Sequence, residues 1–156
     1  MNELSLEMPQ RECKIAIVAA EFNHFIVQQL VDGAFDALNR NGVKESSISL
    51  AWVPGAFELP LAAEVLAGKG DHDAVIALGA VIRGGTPHFD YVAGECSRGL
   101  AQVGLKHGLP VIFGVLTTDN IDQALERAGS GAGNKGFDTA VAALQMISLL
   151  DRLHVK

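Results

Sequence analysis

Hydrophobic and polar positions along the chain follow two alternating rhythms. Four short, largely apolar runs stand out: KIAIVAA (14–20), SISLAWV (47–53), DAVIALGAVI (73–82) and LPVIFGVLTT (109–118). Apolar runs of this length read as strands buried in a sheet. Between them the spacing changes to that of helices. Leu30, Val31, Ala34, Phe35 and Leu38 fall on one stripe of a helix that runs to about Asn41 and stops at Gly42. Pro54-Gly55-Ala56-Phe57-Glu58 turns into a second helix reaching about Ala67, where Pro60 fits only in the first turn. A third helix opens at His88 and continues to about Lys106. Thr118 or Asp119 caps a short fourth helix ending near Ala128. After the glycine-rich stretch 129–136, a last helix carries Val141, Leu144, Ile147 and Leu150.

Strand and helix thus alternate four times with short connections and no internal repeat. The pattern predicts an α/β fold with a four-stranded parallel sheet, helices on both faces and right-handed crossovers. With 156 residues the chain suits one domain, here 13–156. Residues 1–12 are polar with Pro9, and read as a tail or as a strap lying on another subunit.

Ligands of such sheets bind beyond the carboxyl ends of the strands. Three turn segments are predicted to collect there: Phe22-Asn23, Ala56-Phe57-Glu58 and Arg83 to His88. In the last, Gly84-Gly85-Thr86-Pro87 lacks side-chain bulk and leads into a helix. Free backbone N–H groups and the helix dipole therefore meet at a point suited to an anion, flanked by Arg83 and His88. A cation at His88 is opposed by that dipole, which favours the neutral imidazole that a general base needs. The turn after the first strand is too bulky for the phosphate loop of a dinucleotide-binding chain, and Gly85 is not followed by Lys-Ser as in a Walker sequence. The edge offers two aromatic faces, a carboxylate and an anion pocket, which suits a flat heterocycle with a hydroxylated chain plus a phosphate. Each residue also has a plainer reading. Phe22 and Phe57 serve equally as staples at helix starts, and Glu58 suits the dipole of a first turn. Phe113 and Trp52 read as core, and Arg127 and Lys135 as solvated charges.

Composition narrows the partners. Hydrophobic residues make up 49% and charged residues 19%, with a mean hydropathy of +0.25. So apolar a chain is expected to bury part of its surface against copies of itself. The net charge of −6 argues against nucleic acid. No apolar run reaches the roughly 20 residues of a membrane helix, and the N-terminus lacks the pattern of a secretion signal. Cys13 and Cys96 form no metal or redox motif, which suits a cytoplasmic chain.

GAVIRGGTPHFDYV (79–92), WVPGAFELP (52–60), FGVLTT (113–118) and ERAGSGAGNKG (126–136) together resemble the lumazine synthase family, from KIAIVAAEFN onward. The resemblance implies a flavodoxin-like α/β/α sandwich and the penultimate step of riboflavin biosynthesis, without cofactor or metal. It implies that 5-amino-6-ribitylaminouracil condenses with 3,4-dihydroxy-2-butanone 4-phosphate to give 6,7-dimethyl-8-ribityllumazine, phosphate and water. By the same resemblance Phe22 stacks on the pyrimidine ring, Ala56, Phe57 and Glu58 hold the ribityl chain and ring edge, and Ala80, Val81 and Ile82 line the ring pocket. Gly85 and Thr86 bind phosphate with Arg127 as charged partner and Lys135 nearby, and His88 moves protons. Phe113 comes from the neighbouring subunit of a pentamer, and the N-terminal segment adds to that neighbour's sheet. Pentamers, decamers, an icosahedral shell and riboflavin synthase as a partner all fall within the family's range. Gly131 departs from the lysine that many relatives carry, which bears on how pentamers assemble further. A non-catalytic flavin- or lumazine-binding relative and a purely shell-forming one are the alternatives, and the intact His88 and Arg127 count against both.

Overall fold

The computed structural model describes residues 1–129 and 133–155. The Gly131 position lies outside them. Strand β1 (Ile15–Ala20) is followed by helix α1 (His24–Arg40), β2 (Ile48–Val53), α2 (Leu59–Gly68) and β3 (Ala74–Ile82). Then come α3 (His88–His107), β4 (Val111–Thr118), α4 (Ile121–Arg127) and α5 (Lys135–His154). Short 3₁₀ turns at Glu45–Ser47 and Ala56–Glu58 precede β2 and α2.

The strands form one parallel sheet in the order β2-β1-β3-β4. β1 and the first eight residues of β3 are fully buried because strands flank them and helices cover both faces. Side-chain alternation divides the core in two. Ile15, Ile17, Ile76 and Leu78 face Leu30, Leu38 and Leu144 of α1 and α5. Ala16, Val18, Val75 and Ala77 face Leu59, Cys96 and Leu100 of α2 and α3. Burial pushes the Cys96 thiol up to about 11, and both cysteines are free and buried. This is the layered parallel sheet expected from the alternation of apolar periods, and the flavodoxin-like sandwich that the resemblance implies.

The strand order makes β2 and β4 the edges, and this revises two expectations. Trp52 is half-buried on the margin of the core, with the His24 ring 4.8 Å from its own. Phe113 is 37% exposed, not core. The cap of α4 also differs. Asn120 Oδ1 accepts the Gln123 N–H at 2.9 Å, while Thr118 is still paired in β4 opposite Ile82. The sheet runs through Thr118, so the first residue placed to cap the helix is Asn120.

α1 and α5 approach closely at two glycines. A Cβ on Gly136 would collide with the Leu30 backbone, and one on Gly33 with the Asn134 side chain. The N-terminal segment forms no strand, but it is tethered. Arg11 forks onto Asp151 (2.7 and 3.2 Å) and reaches Asp73 at 3.1 Å, and Arg152 donates to the Ser5 carbonyl at 2.7 Å.

Candidate active site

In the order β2-β1-β3-β4 the chain reverses direction between β1 and β3, where a crevice opens at the carboxyl ends of parallel strands. A cleft of about 740 Å³ lies at that point. Its walls are the turns after the first three strands and the start of α3: Phe22, Pro54 to Glu58, Ala80 to Ile82, Gly84, Thr86, His88, Phe89, Tyr91 and Val92.

Backbone pairing continues past the strands and builds these walls. The N–H groups of Glu21 and Phe22 donate to the carbonyls of Val53 and Pro54 at 2.7 and 3.0 Å. This joins the first two turns side by side. Asn23 is left-handed (φ 62°), and its Nδ2 donates to the Ala80 carbonyl at 2.8 Å. Phe22 is thereby held at the cleft while 70% exposed, and Phe57 is 57% exposed across the turn that follows β2. Two large aromatic faces are thus left uncovered beside one cavity. Glu58 Oε1 accepts the Gly55 N–H at 2.9 Å, so one carboxylate oxygen fixes the turn. The other is free of protein hydrogen bonds among the described residues.

The turn from β3 to α3 is exposed from Arg83 to His88, with Gly84 and Thr86 on the cleft and Gly85 between them. Arg83, expected to flank the anion point, is held by other parts of the chain. Its Nε donates to Asp119 at 3.0 Å, its guanidinium lies 4.5 Å over the Phe89 ring, and its N–H donates to the Thr118 carbonyl at 2.8 Å. It latches the end of β3 to the end of β4 instead. Among the described residues, no lysine or arginine lines the cleft.

Nine of the residues expected to form a site thus meet at one cleft: Phe22, Ala56, Phe57, Glu58, Ala80, Val81, Ile82, Thr86 and His88. Of the other four, Gly85 sits in the same turn without lining the cleft, and three lie elsewhere. Phe113 lies exposed on edge strand β4. Arg127 and Lys135 line a separate depression of about 400 Å³ with Glu126, Gly133, Asn134 and Asp138, on the α1 and α5 side of the sheet. Phe89, Tyr91 and Val92 were not foreseen. For Tyr91 and Val92 the signal was present in the helical spacing from His88, which turns positions three and four residues on toward the same side; Phe89, one residue on, has no such signal.

The family model of 6,7-dimethyl-8-ribityllumazine synthase matches residues 12–151. The chain belongs to that family. It is therefore a member of a transferase family that acts in riboflavin biosynthesis on small molecules, and whose members typically oligomerise. Among the described residues no helix is long and apolar enough to cross a membrane.

Proposed function

We propose that this chain condenses 5-amino-6-ribitylaminouracil with 3,4-dihydroxy-2-butanone 4-phosphate, giving 6,7-dimethyl-8-ribityllumazine, phosphate and water, at a site completed by a second copy of itself. The observation that carries this reading is the cleft: two exposed aromatic faces, one carboxylate, one imidazole and a small-residue turn converge at a single sheet edge. The pyrimidine ring stacks on Phe22 against Ala80, Val81 and Ile82. Ala56, Phe57 and Glu58 take the ribityl chain and ring edge, with Glu58 accepting hydrogen bonds from hydroxyls. Gly85 and Thr86 receive the phosphate at the turn that opens α3, where backbone N–H groups are unpaired by the helix.

The amine of the ring attacks the ketone, loss of water leaves an imine, and phosphate departs by β-elimination; the enol so formed becomes a ketone, and the ribityl-bearing nitrogen attacks that carbonyl with loss of a second water as the new ring closes. His88 stands at the cleft beside the phosphate turn and carries protons between these steps. A departing phosphate requires fixed positive charge. Among the described residues the cleft has no lysine or arginine in its lining, whereas Arg127 and Lys135 lie exposed on the far side of the sheet. Both facts support a site in which a neighbouring copy supplies Arg127, Lys135 and Phe113, as in a ring of five.

The N-terminal segment serves the same assembly. Leu4 and Leu6 are exposed and alternate with Glu3, Ser5 and Glu7, which is a strand pattern without a partner. β2 is an edge strand with Leu50 exposed, so its free side accepts such a strand from a neighbour. Mixing the two substrates with the assembled protein and following lumazine absorbance and fluorescence tests the reading. Product formation at a rate well above the uncatalysed condensation is expected. Tight binding of lumazine with no turnover would replace the enzyme by a carrier.

A further inference from the structure

The connection from α4 to α5 is closed by one side chain. Asn134 Nδ2 donates to the carbonyls of Ala128 at 2.9 Å and Gln29 at 3.0 Å, and its Oδ1 accepts the Phe137 N–H at 3.0 Å. These partners belong to three segments: the residue after α4, an early turn of α1 and the first turn of α5. Ala128 and Asn134 also form a backbone bridge. The half-buried amide rests where Gly33 has no Cβ to displace it. An amide whose two protons and oxygen are all engaged has a single orientation.

Arg127 immediately precedes one of those partners, and Lys135 immediately follows the asparagine. One side chain therefore fixes the backbone under both cations and ties it to α1. Long cationic side chains lose less freedom on binding when their bases are already held in place.

We infer that Asn134 is a positioning residue of the reaction, holding Arg127 and Lys135 as one phosphate-facing pair without touching the phosphate itself. The inference rests on the reading that those two cations bind the phosphate ester. A residue that merely capped α5 would affect stability and leave the two substrate affinities in their original ratio.

Asn134→Ser in the full, assembled chain separates the two. Serine keeps a capping oxygen, adds no charge and is too short to reach both carbonyls. The KM of the phosphate substrate and the inhibition constant of inorganic phosphate are expected to rise together by on the order of fivefold, the scale of one net hydrogen bond. The KM of the ring substrate stays as in the unaltered chain. Gly33→Ala crowds the same amide from α1 and gives the same split, and it decides the matter should the serine variant not fold. Arg127→Ala runs beside them. If it leaves phosphate inhibition unchanged, the phosphate reading fails and takes this inference with it. If it weakens phosphate while both amide variants keep the original constants, or raise both KM values equally, the role of Asn134 alone is overturned.

Discussion

Asn23 donates its side-chain N–H to the main-chain carbonyl of Ala80 at 2.8 Å, joining the turn after β1 to the neighbouring strand β3 beside the cleft. It is also the one non-glycine residue with positive φ among the described residues. One residue thus bends the chain behind Phe22 and ties that bend to the neighbouring strand.

Substitution there has two separable costs. Asn23→Gly keeps the left-handed conformation and loses a hydrogen bond of about 1 kcal/mol net. Asn23→Ala loses the bond and adds about 1–2 kcal/mol of left-handed strain. Denaturant melts should rank the alanine variant as the less stable. Both should raise the KM of the ring substrate, because Phe22 is no longer held at the wall. Equal stabilities would mean that the turn relaxes out of the left-handed region.

His88→Ala should slow turnover but leave clear residual activity. A positioned base contributes about 10²–10⁴-fold. Holding two reactants in register contributes more, up to roughly 7–11 kcal/mol. The amine is already a competent nucleophile, so the loss should fall at the low end. Complete inactivity in an intact assembly would give His88 a further part in the chemistry.

Arg127→Ala should cost more than His88→Ala and weaken inhibition by inorganic phosphate. A charged hydrogen bond to phosphate contributes on the order of 1.5–3 kcal/mol, and more where it tightens as phosphate leaves. A phosphate titration of steady-state rates checks this. Identical inhibition in the two proteins would take Arg127 out of the site.

Acid should loosen the N-terminal segment before it unfolds the domain. The hydrogen bond from the Arg11 guanidinium holds the Asp151 carboxyl below its ordinary value. A carboxylate depressed in the folded state stabilises above its unfolded pKa, and that stabilisation is lost as pH falls through the lower, folded value. Hydrogen exchange followed by mass spectrometry should show residues 1–12 deprotecting at a higher pH than β1 and β3. Simultaneous loss across the chain would contradict a separately tethered strap.

The alternation of periods made the layers legible, because β1 and β3 are buried on both faces and their sequences are apolar throughout. Edge position was not legible. LPVIFGVLTT reads like β3, but strand order exposes Phe113, and order depends on which strands pair, not on any one run. The cleft was legible because three turns each carry an unusual residue at a strand end. Asn134 and Asn23 were harder to see. An asparagine before a helix is an ordinary cap in sequence, and only the fold brings Gln29, Ala128 and Ala80 within reach of those amides. The partner of Arg83 was hidden for a related reason. Its neighbours in sequence are glycines, while its partner Asp119 is brought by β4.

The central claim is that no single chain owns a whole site. His88→Ala has a damaged cleft with sound Arg127, and Arg127→Ala the reverse. Dissociating the two variants in mild urea, mixing them in equal amounts and reassembling them tests the claim most directly. Random assembly pairs an intact cleft with an intact arginine at about a quarter of the sites, so turnover should rise well above the mean of the two variants. Turnover that stays at that mean, with mixed oligomers present by sedimentation velocity and native mass spectrometry, would show that cleft and arginine belong to the same chain.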